Sequence, residues 1–414
     1  MASDYQAPRG TFDVLPDDAR ARARIEGAAA AIFARAGYEP IATPAFEDTE
    51  LFERGVGRST DIVRKEMFTF EDKGGRSITL RPEGTAPICR AYLEHGMHKL
   101  AQPVKLFYAG PFFRHERPQA GRYRQFHQIG CEAIGTDSPL ADAEAIVLLS
   151  DLLAELGVPG IELRLGSLGS PDSRSSYLED LKAHLRAHED ELSKDVRERI
   201  EHNPLRAFDA DDEGTQAVMA SAPTIVERLD GEDAVHFAAV RELLDSAGTP
   251  YEIDPTLVRG LDYYTRTIFS FVCDELGAQS EIGGGGRYDG LIEQLGGPPT
   301  PAVGWAAGIE RILLALGEAE EATGRDAFIA AADEGQRHRA LTLAGELRHA
   351  GISAEVDLGG RGLKGQLKHA DRISARRVVI LEADGAAQLR DMESGEQRPV
   401  DAGRLIDEFG GGGG

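Results

Sequence analysis

Cysteine, methionine and tryptophan are sparse in this 414-residue sequence, at 3, 5 and 1. Cys89, Cys131 and Cys273 are odd in number, far apart and outside any CxxC pair. That argues against a disulfide frame and a zinc site, and it fits a reducing compartment. Long apolar runs are missing too: none reaches the ~20 residues that span a bilayer. The opening MASDYQAPRG lacks the basic and apolar regions of a secretory signal, so a cytoplasmic protein without a membrane partner is expected. There is no HExxH, no Walker lysine loop and no Ser-His-Asp order. Positive charge is short: 46 Lys and Arg stand against 70 Asp and Glu, a net charge of −24, and lysine is scarce beside arginine. At face value this disfavours a polyanionic partner, which needs cations. A general acidic coat for solubility gives the same total, so local patches must decide.

The length suggests two or three domains. The stretch around which the chain is organised is Lys105–Gly135. Leu106, Tyr108 and Phe112 alternate on the way in; Phe126, Gln128, Gly130 and Glu132 share one face on the way out. Between them lies a loop with Arg114, His115, Glu116, Arg117, Arg122 and Arg124, broken by Pro118 and Gly121. Guanidinium forks suit phosphate oxygens and a phenyl ring suits a purine face. Taken alone, the hairpin is equally an anion site or a solvated turn.

Upstream, a helical pattern from Pro16 ends at Gly37. Strand Ser77–Arg81 delivers Pro82-Glu83-Gly84-Thr85 to a helix with Thr85 at its N-cap. Residues 170–248 have short helical patterns and dense charge, and glycine-rich strand-like sequence resumes after them, which marks an inserted helical module. Arg259, Tyr263 and Tyr264 then precede a strand, and four glycines from Gly283 would let a ligand approach the backbone. A helix is expected over Asp289–Leu295. Arg311 stands in the first turn of helix Ile309–Leu316, where the dipole disfavours a cation unless an anion or solvent offsets it. Beyond a boundary at Arg325 and Asp326, strands and helices alternate as a small α/β unit. There Lys364, Lys368, Arg372 and Arg376 recur every four residues, a basic stripe if one helix runs that far.

Arg114, Arg122, Arg259 and Arg311 beside Glu83, Glu132 and tyrosines make a site for phosphoryl or nucleotidyl transfer. Six segments then carry a resemblance, in family order. GYEPIATP, FRHERPQAGRYRQFHQIGCE and AVGWAAGIERI resemble the three motifs of class II aminoacyl-tRNA synthetases; LRPEGT, LVRGLDYYT and GGGGRYDGL resemble the signatures of the histidyl-tRNA synthetases.

The resemblance implies a histidine–tRNA ligase: ATP-dependent formation of histidyl-adenylate, then transfer to tRNA(His), with Mg²⁺ accompanying ATP in a homodimeric cytoplasmic enzyme. It implies an α+β catalytic domain on an antiparallel sheet (1–169 and 249–325) with a helical insertion (170–248). A small α/β anticodon-binding domain (326–409) and a glycine tail (410–414) follow. Arg114 would grip the α-phosphate, Arg311 the distal phosphates, and Arg259 would stabilise charge at the α-phosphate; Arg114 and Arg259 are the catalytic pair. Glu116 and Arg122 would hold the nucleotide and Phe126 would stack on adenine. Glu83 and Gln128 would bind the α-ammonium of histidine, Glu132 and Tyr264 would read its imidazole edge, and Thr85, Tyr263 and Tyr288 would complete the pocket, Tyr288 closing it. Lys364, Lys368 and Arg372 would contact tRNA, and no resident protein-held metal is expected. The competing reading is a non-catalytic synthetase-like regulatory subunit of ATP phosphoribosyltransferase, which typically lacks intact histidine signatures and the anticodon domain.

Overall fold

In the computed structural model, residues 5–57, 60–273, 276, 277, 280–317 and 324–410 are described. They fall into two units, Met1–Ala319 and Glu320–Gly414. Strands of the first unit are β1 (Glu39–Pro40), β2 (Phe46–Asp48), β3 (Phe68–Glu71), β4 (Ser77–Leu80), β5 (Val104–Phe113) and β6 (Gln125–Ile134). They continue as β7 (Ile161–Ser167), β8 (Glu252–Ile253), β9 (Thr265–Cys273), β10 (Glu281–Arg287) and β11 (Ala302–Gly308). A small antiparallel sheet takes β2, β4 and β3; the rest form one eight-stranded sheet in the order β1-β5-β6-β11-β10-β9-β7-β8. Its middle pairs are antiparallel, and the edge pairs β1 with β5 and β7 with β8 are parallel.

The period of two divides the labour of this sheet. Ile129, Cys131 and Ala133 of β6, with Phe269, Phe271, Trp305 and Ala307, are buried in one core with residues of helices Pro16–Arg35, Pro139–Glu155, Gly231–Ala247 and Ile309–Leu316. Each large one, such as Ile129, Phe269 or Phe271, stabilises by about 1.5–3 kcal/mol. Tyr108, Phe112 and Ile268 instead join Ile88, Tyr92, Tyr263, Tyr264 and Tyr288 in a second core. The glycines follow from register. Gly304 pairs with Glu132 on one side and Gly286 on the other, and a Cβ there would lie 1.8 Å from Glu132 Oε2.

Several expectations need correction. Thr85 is the first residue of helix Thr85–Glu94 and not its cap; Gly84 holds that position, and the carboxylate of Glu83 satisfies the helix-start amides. The expected helix at 289–295 shrinks to Leu291–Gln294 before the Gly296 turn, where φ is +94°. Helices Pro171–Ala187, Lys194–Arg199 and Glu213–Met219 contribute Tyr177, Leu181, Val196 and Val218 to a core of their own. Helix Gly231–Ala247, grouped above with that module, buries Phe237, Val240 and Leu244 in the sheet core instead. We therefore place the end of the self-packed insertion before residue 231.

In the second unit, β12 (Ala327–Ala331), β13 (Ala354–Val356), β14 (Arg377–Leu381), β15 (Ala387–Asp391) and β16 (Gln397–Val400) form a sheet in the order β13-β12-β14-β15-β16. Its first three strands are parallel and its last two antiparallel. Helix Leu363–Arg372 carries Lys364, Lys368 and Arg372, all exposed. It ends there, and Ser374 takes φ +51°, so Arg376 leaves the stripe. Of the glycine tail only 410 is described. Among the described residues no helix is long and apolar enough to cross a membrane.

Candidate active site

On the open face of the large sheet lies a cavity of about 630 Å³. Glu83, Thr85, Arg114, Glu116, Arg122, Phe126, Gln128, Arg259, Tyr263, Tyr264 and Arg311 all line it, although they are spread over more than two hundred positions. Glu132 and Tyr288 do not; Glu132 sits one hydrogen bond behind the lining residue Thr85, and Tyr288 one further, bonded to Glu132. Lys364, Lys368 and Arg372 belong to the second unit.

Glu83 in the lining and Glu132 behind it are held by donors. Glu83 is 4% exposed, and its two oxygens accept from Thr85 N at 2.7 Å and Ala86 N at 3.0 Å. These are orphan donors of a helix start, so the strand-to-helix junction itself aims the carboxylate. Burial still raises the Glu83 pKa against these amide bonds. The Thr85 hydroxyl donates to Glu132 Oε1 at 2.8 Å and the Tyr288 hydroxyl to Oε2 at 2.5 Å. Burial pushes Glu132 up to about 8 even though both hydroxyls pull it down. Nearby, Gln128 Oε1 is buried with no hydrogen-bond partner among the described residues. Such an acceptor costs about 1–3 kcal/mol, so it calls for a donor brought by a ligand.

The arginines of the cavity are braced too. Arg114 Nε donates to Pro82 O at 2.9 Å, and its guanidinium lies 5.3 Å above the Phe126 ring, the face expected to receive a base. Arg122 Nε pairs with Glu116. Arg311 donates to Glu281 O at 2.6 Å and Gly121 O at 3.2 Å, linking helix Ile309–Leu316 to β10 and to the hairpin loop. Burial lowers its pKa; Glu281 opposes this, while Arg122 and Arg114 reinforce it. Arg259 pairs with the Glu281 carboxylate. Burial would depress Arg259 and raise Glu281, but their mutual attraction reverses both. Arg259 Nε stays buried without a partner among the described residues.

Three supporting residues escape sequence reasoning. Glu310 accepts from His127 N with both oxygens, at 3.0 and 2.9 Å, and lies 2.9 Å from His127 Nδ1. It thereby clamps β6 to the helix that carries Arg311; its place directly before that arginine was the available signal. Arg287 and Asp142 form a fully buried pair next to Tyr288, with Arg287 also donating to Thr136 O and Ser138 O. The only hint was an arginine inside a glycine-rich strand. Among the described residues, no group of three or more His, Cys, Asp or Glu could hold a metal ion.

Comparison with known proteins points one way. The family model described as histidyl-tRNA synthetase matches residues 10–312, and one described as an anticodon binding domain matches 326–410. A histidine–tRNA ligase of Halothermothrix orenii is 48% identical, with 98% of this chain and 99% of that protein covered. One from Rubrobacter xylanophilus is also 48% identical, with 96% and 97% covered. Among solved structures, apo histidyl-tRNA synthetase of S. aureus matches with a TM-score of 0.82 at 36% identity, covering 98% of this chain and 99% of that one. A Bacillus halodurans protein titled as an ATP phosphoribosyltransferase regulatory subunit/histidyl-tRNA synthetase is 23% identical with a TM-score of 0.68, covering 92% and 99%, and shares the fold.

Proposed function

The chain belongs to the histidyl-tRNA synthetase family, and on that premise we propose that it activates L-histidine with ATP and transfers it to the 3′ end of tRNA(His). One observation carries the reading. Strand β6 sets Phe126 and Gln128 in one cavity together with the braced arginines Arg114, Arg259 and Arg311 and the amide-held carboxylate of Glu83.

The chemistry needs no general base, because the histidine carboxylate is ionised near neutrality. One of its oxygens attacks the α-phosphorus in line; a P–O bond forms there, the α–β bridging bond breaks, and pyrophosphate leaves. Positioning and charge neutralisation lower this barrier. Arg114 and Arg259 take the α-phosphate and Arg311 the distal phosphates, while Glu116 and Arg122 hold the nucleotide. Adenine stacks on Phe126, which asks Arg114 to leave that ring for the phosphate. The histidine ammonium supplies the donor that Gln128 Oε1 lacks, beside Glu83. Tyr264 reads the imidazole edge from the cavity wall, Glu132 acts on that edge only through the Thr85 hydroxyl it holds, and Thr85, Tyr263 and Tyr288 hold that pocket in shape. Polar readout of this kind rejects analogues by about 10⁴–10⁵, so an editing step is unnecessary.

Mg²⁺ comes as the ATP complex, since Mg²⁺ binds substrate phosphates with one or two carboxylates and keeps water ligands. The second unit reads tRNA through Lys364, Lys368 and Arg372, and the working form is a cytoplasmic homodimer. Charging a tRNA(His) transcript with labelled histidine tests the whole sequence. Attachment that depends on ATP, histidine and this tRNA supports it; no charging by folded protein contradicts it.

A further inference from the structure

The residues ahead of the first helix play no part in the chemistry above, yet Pro8–Phe12 lie against the arginine loop of the hairpin. A tight turn closes on Pro8 O, which accepts from Thr11 N at 3.0 Å and Thr11 Oγ1 at 2.8 Å. The turn presents Gly10 O to Arg124 N at 2.7 Å and Arg9 O to Arg124 Nη1 at 3.4 Å. Phe12 sets its ring 4.6 Å from that of Tyr123, a cavity-lining residue. On its other edge Arg124 O accepts from Arg114 N at 3.0 Å. Gly10, Arg124 and Arg114 thus form a continuous backbone relay from the N-terminal segment to the cavity.

Within the loop itself, the Arg122–Glu116 side-chain pair apart, hydrogen bonding is thin. Gln119 and Arg122 form an isolated bridge, and Arg124 Nε reaches Glu116 O at 3.4 Å. The shortest backbone hydrogen bonds come from outside: His115 N donates to Glu66 O at 2.7 Å on one side, and Arg124 N to Gly10 O at 2.7 Å on the other. Glycine is needed at that point. Gly10 has φ +86°, and a Cβ there would lie 2.8 Å from Arg124 Cγ and Cδ.

We propose that the turn Pro8–Phe12 is a positioning strap for the nucleotide loop. It fixes Arg124 and Tyr123, and through Arg124 the backbone of Arg114, so that the loop meets the phosphates already ordered. It acts on ATP and not on histidine, whose pocket is built on other elements. The inference rests on the ATP reading of the cavity.

The test uses the full chain as wild type, Gly10→Val and Phe12→Ala. Each is titrated calorimetrically with MgATP alone and with histidine alone, and each is melted. Gly10→Val breaks one backbone bond and strains the turn, so ATP affinity falls about tenfold. Histidine affinity and Tm stay at wild-type values, because the turn belongs to no core; Phe12→Ala shows the same split, less strongly. Trypsin cuts after Arg122 and Arg124 faster in both variants. Unchanged ATP affinity in Gly10→Val overturns the strap alone. Equal losses of ATP and histidine affinity with a lower Tm overturn it too, by showing a packing role. A wild type that binds histidine but not ATP overturns the nucleotide reading, and the strap with it.

Discussion

The Tyr288 hydroxyl donates to Glu132 Oε2 at 2.5 Å behind the cavity wall, while Thr85, which lines that wall, donates to Oε1 at 2.8 Å. One buried carboxyl thus joins a strand, a helix start and the turn after the glycine run. The same burial makes Glu132 the most informative titrating group in the molecule.

Its carboxyl is raised from the ordinary 4.5 to about 8, by burial first. The folded chain therefore keeps a proton that the unfolded chain gives up above its lower pKa. The resulting contribution to stability is full below that lower value and is lost as pH climbs through the folded value. Wild type should lose resistance to urea between about pH 5 and pH 9, by on the order of a few kcal/mol. Glu132→Gln should flatten this dependence and be the more stable form at the alkaline end, yet show a higher KM for histidine. Parallel urea midpoints in the two proteins at both pH values would contradict the assignment.

Arg259→His should separate binding from chemistry. The arginine pairs with Glu281 in the cavity wall, and its proposed work is on the charge that develops at the α-phosphate. Loss of such a preorganised donor costs about 10²–10³ in kcat. Pyrophosphate-exchange kinetics should show that drop with the KM for histidine little changed. Near-normal turnover would mean the residue has been misassigned.

Arg287 and Asp142 are both fully buried and paired. Arg287→Met should destabilise the chain by about 3–5 kcal/mol, because it leaves the buried Asp142 carboxylate with only the long 3.4 Å contact to His236 Nε2. Asp142→Leu added to it should recover much of that loss. Urea unfolding of the single and double variants measures the difference; a double variant no better than the single one would place the cost elsewhere.

Neutralising Lys364, Lys368 and Arg372 should raise the KM for tRNA and flatten its salt dependence, since each phosphate contact contributes about one unit to the slope. Pyrophosphate exchange should be unaffected. An equal fall in exchange would show that the stripe is structural.

The hairpin was legible because alternation over ten residues names a face, and a tract of arginines names a chemistry. Depth was not legible: period two puts Glu132 on the face of Phe126 and Gln128 but does not say that Glu132 is sealed from the cavity. Capping by Glu83 was missed because hydroxyl residues are the usual expectation at a helix start, whereas here a carboxylate before the helix serves its free amides. Spacing of four overran at Arg376, where a left-handed Ser374 turns the chain. Surface charge on helix Gly231–Ala247 hides the periodicity of Phe237, Val240 and Leu244, whose packing is in the sheet core.

The most direct measurement is histidine-dependent exchange of labelled pyrophosphate into ATP, in an active-site-titrated preparation without tRNA. Exchange should require histidine, ATP and Mg²⁺ together and should vanish when histidine is left out. Folded, titrated protein that binds both substrates but exchanges nothing would contradict the proposed adenylation and return the chain to a binding role.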